Sequence, residues 1–112
     1  MELGLTFPLQ RFRKIHPPSY GTELDRRFCW DLHVIDLRGR KSLVAVHCHS
    51  RYTFVRWDVT AAQWEDLPGL FRQGVKDSLT AAGFSQKQVE QYLCRAGEME
   101  LTRTHGRREV AF

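Results

Sequence analysis

The sequence predicts an α+β domain in which an antiparallel sheet of about four to five strands carries two helices packed on one face. Two stretches rich in β-branched and aromatic residues flank Arg38-Gly39, as the strands of a hairpin do. Residues 52 to 59 alternate in the period-two pattern of a strand. From Leu67 onward the apolar residues follow three/four spacing, which indicates a helix with one buried stripe.

The N-terminal segment predicts a first strand and then a loop. Residues 2 to 7 alternate, and Pro8 ends the strand because proline has no N–H for the sheet ladder. Residues 10 to 26 are interpreted as an irregular, basic and proline-rich loop, since Pro17-Pro18 excludes regular helix or a central strand there. The 112 residues are expected to form a single domain.

The hairpin has a definite predicted register. If Asp36 pairs with Lys41, opposite residues have numbers that sum to 77, so Cys29 lies opposite Cys48. A reducing compartment and strand geometry favour two buried thiols over a disulfide between them. The strand at 52 to 59 then completes a three-stranded antiparallel meander.

Helix starts and stops complete the predicted fold. The pairs Thr60/Gln63 and Ser85/Gln88 each have capping-box spacing, and Leu67-Pro68 marks a further helix start. A shorter second helix is expected to end before Gly97. Residues 98 to 104 alternate again and predict the closing C-terminal strand.

Composition narrows the function classes. The chain carries 17 Lys and Arg against 13 Asp and Glu, a net charge of +4 that favours contact with polyanions or acidic protein surfaces. It has no apolar run of the roughly 18 to 20 residues of a membrane helix and no signal-peptide pattern at its start, so a cytoplasmic protein is expected. No P-loop, GxGxxG or HExxH motif occurs, and no cofactor is expected.

A basic turn follows the predicted last strand. Its residues are Arg103, Thr104, His105, Gly106, Arg107 and Arg108. Guanidinium groups grip phosphate oxygens, the threonine hydroxyl adds a donor, and histidine exchanges a proton near neutral pH. The turn is therefore a candidate anion-binding site, with a solvated basic terminus as the alternative interpretation.

Aromatic and basic residues also alternate on the strand that begins near Arg51. Tyr52, Phe54 and Arg56 share one face and could form a stacking platform for single-stranded nucleic acid, although burial in a sheet core explains the same pattern. If His105 and Arg107 approached Tyr52, the three could support metal-independent cleavage of RNA, with His105 as acid or base.

His47 and His49 project from the same face of a strand and are the candidate metal ligands. Zinc needs three or four ligands, and the further candidates His33 and Cys29 fall on the opposite face in the predicted register. We therefore predict no metal site.

Several short motifs of the sequence resemble those of a known family. They are Phe28-Cys29-Trp30, Arg40-Lys41, Arg51-Tyr52, the helix pair around residues 67 to 97, and Thr104-His105-Gly106-Arg107. Over about residues 27 to 108 the chain resembles DUF6933, a family of uncharacterised bacterial proteins. Relatives have His-Ala-Asn after the tryptophan, Asn at the position of His47, and Asn at the position of Gly106. The resemblance supports the fold and implies shared polar positions at Trp30, Arg51, Tyr52, Thr104, His105 and Arg107.

The sequence is compatible with two functions. The first is a small basic binding or regulatory module for a protein complex or a nucleic acid (RNA or single-stranded DNA), a class that includes a phage- or mobile-element-encoded inhibitor of a nucleic-acid-processing complex. Its binding residues would be Arg51, Tyr52, Phe54, Arg56, Arg103, Thr104, His105, Arg107 and Arg108. The alternative is the ribonuclease-like enzyme with His105, Arg107 and Tyr52 as catalytic residues.

Overall fold

The computed structural model describes residues 1–17 and 20–105. The strands and helices of this part, in chain order, are β1 (Glu2–Leu5), α1 (Phe7–Arg13), β2 (Cys29–Leu37), β3 (Arg40–His47), β4 (Thr53–Arg56), α2 (Ala61–Trp64), α3 (Leu67–Ala81), α4 (Gln86–Ala96) and β5 (Glu100–Arg103). They confirm the predicted α+β class. None of the helices in the described ranges combines the length and the apolar character needed to cross a membrane.

The sheet is mixed, so the prediction of a purely antiparallel sheet is wrong. Its strand order is β4-β3-β2-β1-β5, and β1 runs parallel to both of its neighbours. Parallel neighbours need a long connection, which α1 and the following loop provide between β1 and β2. The helices between β4 and β5 carry the chain from one edge of the sheet to the other.

The predicted meander and its register are confirmed. β2 and β3 pair antiparallel with Asp36 opposite Lys41 and Trp30 opposite His47. The backbone N–H of Cys48 donates to the carbonyl of Cys29 at 3.0 Å, which continues the same register beyond the ladder. Cys29 and Cys48 are both free and buried, as predicted.

Helix α1 lies where the sequence predicted the end of a strand and the start of a loop. The side chain of Thr6 accepts a hydrogen bond from the N–H of Leu9. Pro8 lies in the first turn, where backbone N–H groups have no partner within the helix, so the N–H that proline lacks costs no helical hydrogen bond. The helix ends at Lys14, which has a left-handed backbone with φ of 54°. Pro17 lies beyond this cap, so it does not interrupt α1.

A single core fills the space between the helices and one face of the sheet. From the strands it includes Leu3, Leu32 and Leu43, and from α3 it includes Phe71 and Val75, each of them fully buried. We call this side of the sheet the helix face. Alternate strand residues, among them Glu2, Cys29 and Asp31, point to the opposite side, which we call the polar face.

Candidate functional site

The polar face holds a buried group of five side chains, which we call the polar cluster: Glu2, Cys29, Asp31, Cys48 and His105. Strand pairing assembles four of them. Glu2 on β1 lies opposite Cys29 on β2, Asp31 is two residues farther along the same face, and Cys48 is hydrogen-bonded to Cys29 through the backbone. His105 follows β5 and folds over this face.

The imidazole of His105 lies between the two carboxylates of the cluster. Nδ1 is 2.7 Å from Asp31 Oδ1, and Nε2 is 3.0 Å from Glu2 Oε1. The backbone N–H of His105 also donates to Asp31 Oδ1, at 3.3 Å. Cys48 Sγ lies 3.6 Å from Nδ1. One ring therefore connects two strands and a cysteine thiol.

Electrostatics favour the charged form of this ring. Burial lowers the pKa of His105, but hydrogen bonds with Asp31, Cys29 and Cys48 and the charge of Asp31 outweigh it and raise the pKa to about 12. For Glu2, burial raises the pKa of the carboxyl group. Hydrogen bonds from the N–H groups of Glu23 and Thr22 and the interaction with the His105 ring outweigh this effect and bring the pKa below its usual value. The cluster is thus an imidazolium held by two carboxylates.

Two glycines make room for the carboxylates. A Cβ at Gly4 would overlap the carboxylate of Asp31 and approach the Arg103 carbonyl and Thr104 Cα to 2.9 Å. A Cβ at Gly21 would overlap the carboxylate of Glu2. The absence of a side chain at Gly4 therefore allows the chain after β5 to cross close to β1 and deliver His105.

The cluster suits metal chelation better than nucleophilic catalysis. Two overlapping trios, Glu2/Cys29/His105 and Asp31/Cys48/His105, bring their ligand atoms within 4.8 Å of one another. Cys48 and His105 are neighbours, as the nucleophile and the base of a cysteine enzyme are. However, burial raises the pKa of this thiol, and Cys48 is only 5% exposed. A substrate would not reach it.

A second site, the aromatic pocket, opens on the helix face between the β3–β4 turn and helices α3 and α4. Its cavity measures about 340 Å³. Its apolar walls are Trp30, Tyr52, Leu79, Phe84, Val89 and Tyr92. Its polar walls are His47, Ser50 and Gln88.

The polar atoms around the aromatic pocket bond mainly to one another. Trp30 Nε1 donates to the Tyr92 hydroxyl at 3.0 Å, and that hydroxyl donates to the Arg27 carbonyl. His47 bonds Ser50 Oγ through Nδ1 at 2.7 Å and the Arg27 carbonyl through Nε2 at 2.9 Å. Burial raises the pKa of Tyr92 to about 12, so its hydroxyl stays protonated. The cavity therefore presents mostly carbon atoms.

The predicted stacking platform is not on an open face. Phe54 is only 6% exposed and packs against Phe71 of α3. The hydroxyl of Tyr52 bonds Ser78 on the same helix, and Arg56 pairs with Asp77 at 2.6 Å. Alternation along the strand indicated that the three side chains share a face, but not which face the helices cover.

Among the residues that the structure describes, the predicted basic side chains do not come together. Arg56 and Arg103 lie on the two opposite edge strands, four strand spacings or about 19 Å apart. Arg103 is exposed and stacks its guanidinium over Tyr20, 5.4 Å from the ring centre, while Thr104 follows β5. Arg51 is exposed in the β3–β4 turn. Gly106, Arg107 and Arg108 lie outside the described residues.

The proposed ribonuclease residues are also separated. Tyr52 packs against the core on the helix face, whereas His105 is held by Asp31 and Glu2 on the polar face. The sheet lies between them, so they do not act on one substrate proton site. His47 has both ring nitrogens bonded, and His49 is exposed; within residues 1–17 and 20–105 no third ligand joins this pair.

Sequence reasoning missed Glu2 and Asp31. One signal was present, since Asp31 lies between the apolar residues Trp30 and Leu32 and shares a face with Cys29 in the correctly predicted register. A carboxylate at such a position indicates a buried partner. Three of the six resemblance residues fall in the two sites: Trp30 and Tyr52 line the aromatic pocket, and His105 completes the polar cluster.

Comparison with known proteins identifies a family. The family described as Domain of unknown function (DUF6933) matches residues 2–112, a longer span than the resemblance in the sequence indicated. No curated protein and no solved structure matches the chain significantly. Because the match covers both sites and almost every residue, this chain belongs to the DUF6933 family.

Proposed function

We propose that this protein is a non-catalytic binding module that holds an apolar side chain of a partner protein in its aromatic pocket. The observation that carries the proposal is the pocket itself, an open cavity of about 340 Å³ with aromatic walls on a small domain. This volume is at the lower end of the roughly 300 to 1,000 Å³ typical of ligand sites, which suits one large side chain.

The chemistry of the walls favours an uncharged occupant. The bonds of Trp30, Tyr92 and His47 are directed to one another, to Ser50 and to the Arg27 carbonyl. A phosphate or a charged group would enter without a partner for its charge, and burying such a group is costly. An aromatic or branched aliphatic side chain needs no such partner and gains from contact with the rings.

A protein segment fits this site better than a nucleic acid. Buried aromatic anchors seated in pockets dominate many protein interfaces, and Trp30, Tyr52 and Tyr92 offer such a seat. Binding of a base by stacking also requires a cationic groove for the backbone, whereas Arg56 is paired with Asp77. Among exposed residues next to the lining, Arg51 and Lys87 are positive and Glu90 is negative, so a mildly acidic segment is favoured.

The direct test uses isotope-labelled full-length protein and small probes of the occupant. Acetyl-phenylalanine amide and acetyl-leucine amide should shift the amide resonances of Tyr52, Leu79, Phe84 and Tyr92 in heteronuclear spectra. Adenosine monophosphate and inorganic phosphate should leave these resonances unchanged. Shifts with adenosine monophosphate alone would overturn the protein-segment proposal.

A matched pair of phenylalanine variants connects the pocket to a partner. Phe84 lines the pocket and is 48% exposed, whereas Phe7 is 72% exposed and is not part of the lining, so neither replacement should unfold the protein. We expect Phe84→Ala to weaken probe binding at least about fivefold and Phe7→Ala to leave it unchanged. In capture from a bacterial lysate, a protein retained by wild type and Phe7→Ala but lost by Phe84→Ala is the expected partner. Capture of only nuclease-sensitive material, unaffected by Phe84→Ala, would contradict the proposal.

A further inference from the structure

We propose that the polar cluster is a zinc site, in which Asp31, Cys48 and Nδ1 of His105 are the ligands and Glu2 orients the histidine. This site is independent of the aromatic pocket, since the two lie on opposite faces of the sheet. Cysteine, histidine and carboxylate are the ligand types that zinc takes in proteins, and three protein ligands leave one position for a water molecule.

The three ligand atoms already converge in the absence of an ion. One ligand atom from each residue lies within 4.8 Å of the other two, and His105 Nδ1 is 2.7 Å from the Asp31 carboxylate, through Oδ1, and 3.6 Å from Cys48 Sγ. Each ligand comes from a different part of the fold, because Asp31 is on β2, Cys48 follows β3, and His105 follows β5. A small displacement of the ring would admit a metal between them.

Glu2 supplies the hydrogen-bond acceptor that the second ring nitrogen of a zinc-bound histidine normally has. His105 Nε2 lies 3.0 Å from Glu2 Oε1, so the ring can donate one N–H to this carboxylate while the other nitrogen faces Asp31 and Cys48. A carboxylate in this place fixes the orientation and the tautomer of the histidine. Glu2 is itself fixed by the N–H groups of Thr22 at 2.7 Å and Glu23 at 2.9 Å.

An independent observation concerns the second carboxylate oxygen of Asp31. The residue is 0% exposed, and its Oδ2 has no hydrogen-bond partner among the described residues. Buried carboxylate oxygens are normally paired, because an unpaired one loses its hydration without replacement. A divalent ion at Asp31 would satisfy this atom.

The same observation decides between the two trios. In the other one, Glu2 and Cys29 would bind the metal with His105, whose Nε2 faces Glu2. The Oε2 atom of Glu2 already accepts two backbone N–H groups, whereas Oδ2 of Asp31 accepts none from the described residues. Asp31 therefore has the free coordinating atom, and Glu2 has the supporting position.

The test is metal binding by the reduced full-length protein. Stoichiometric Zn²⁺ should raise the melting temperature, and Co²⁺ should give the visible absorption of a tetrahedral site with a thiolate-to-metal band. Mg²⁺ should do neither. Wild-type protein that shows no cobalt spectrum and no zinc-dependent shift in melting temperature would overturn the proposal.

Three cysteine variants identify the ligand. Cys48→Ser should abolish the thiolate band, whereas Cys29→Ser and the exposed control Cys94→Ser should retain it. Glu2→Gln should weaken zinc affinity by about 10- to 100-fold, less than Cys48→Ser. Loss of the band in Cys29→Ser with retention in Cys48→Ser would overturn the assignment in favour of the other trio.

One measurement needs no variant and so does not depend on the folding of Cys48→Ser. Nitrogen-15 spectra of the histidine rings in the zinc-loaded wild type should show His105 with a metal on Nδ1 and a proton on Nε2. The reverse arrangement, or an unchanged His105 ring, would overturn the proposal.

Discussion

His105 Nδ1 and Asp31 Oδ1 lie 2.7 Å apart although 74 residues separate them in the chain. This contact connects the end of β5 with β2, two strands that are not neighbours, across the polar face of β1. Its position explains why the protein tolerates a buried charge on that face: the ring lies between two carboxylates, and β1 carries a glycine beneath the crossing.

Removing Asp31 should destabilise the protein strongly. Asp31→Ala leaves the buried His105 ring without its nearest carboxylate, and breaking such a pair costs about 3 to 5 kcal/mol. Asp36→Ala on the same strand is the matched control, since its pair with Lys41 is exposed and should contribute less than about 1 kcal/mol. Urea unfolding of both variants measures the difference. Equal losses would contradict a specific role for the buried pair.

A methyl group at Gly4 should disturb the crossing of the chain after β5 close to β1. Gly4→Ala places a Cβ against the Asp31 carboxylate and the chain at residues 103 and 104, and overpacking of this kind costs about 1 to 3 kcal/mol. Gly39→Asn is the control, because Gly39 has open space around it and asparagine accepts its positive φ of 76°. Thermal unfolding followed by circular dichroism checks the prediction. A Gly4→Ala protein as stable as wild type would show that Gly4 is not packed tightly against Asp31 and residues 103 and 104.

The Tyr92 hydroxyl should hold the wall of the aromatic pocket. Tyr92→Phe removes the acceptor for Trp30 Nε1, and an unsatisfied buried donor costs about 1 to 3 kcal/mol. Tyr20→Phe is the control, because Tyr20 is 65% exposed. Denaturant unfolding followed by tryptophan fluorescence measures both variants, and an effect of Tyr20→Phe as large as that of Tyr92→Phe would refute the assignment.

Alkaline titration provides a second check on Tyr92. Its pKa is raised to about 12 in the folded protein from an ordinary value of 10, chiefly by burial. The unfolded chain therefore loses this proton first, so the stability associated with Tyr92 is fully present below pH 10 and is lost as the pH rises towards about 12. The difference in tyrosinate absorbance between wild type and Tyr92→Phe should show the late transition. Ionisation of this group near pH 10 would contradict its burial.

The N-cap of α1 should contribute measurably to stability. Thr6→Ala removes the acceptor for the Leu9 N–H and the bond to His33 Nδ1 at 2.7 Å, with an expected loss of about 0.5 to 2 kcal/mol. Thr6→Ser keeps the hydroxyl and should restore most of this free energy. Guanidinium unfolding compares the variants, and an equal loss in both would point to the methyl group instead.

Local patterns were sufficient where neighbouring residues determine the structure. The hairpin register followed from the pairing of Asp36 with Lys41, because a turn fixes the alignment of the strands that it connects. Helices α3 and α4 followed from apolar spacing, and the Ser85/Gln88 capping box formed as predicted. The same logic could have found α1, since Thr6 and Pro8 form a recognisable helix start.

The sequence by itself thus determined the class of the fold, the meander and its register, and the two main helices, because these depend on contacts a few residues apart. Only the tertiary structure decided which face the helices cover, that β1 runs parallel between β2 and β5, and that His105 returns to Asp31. These relationships join residues far apart in the chain, and alternation along a strand carries no information about its neighbours in the sheet. Both candidate sites therefore depend on the tertiary structure, which places these strands side by side.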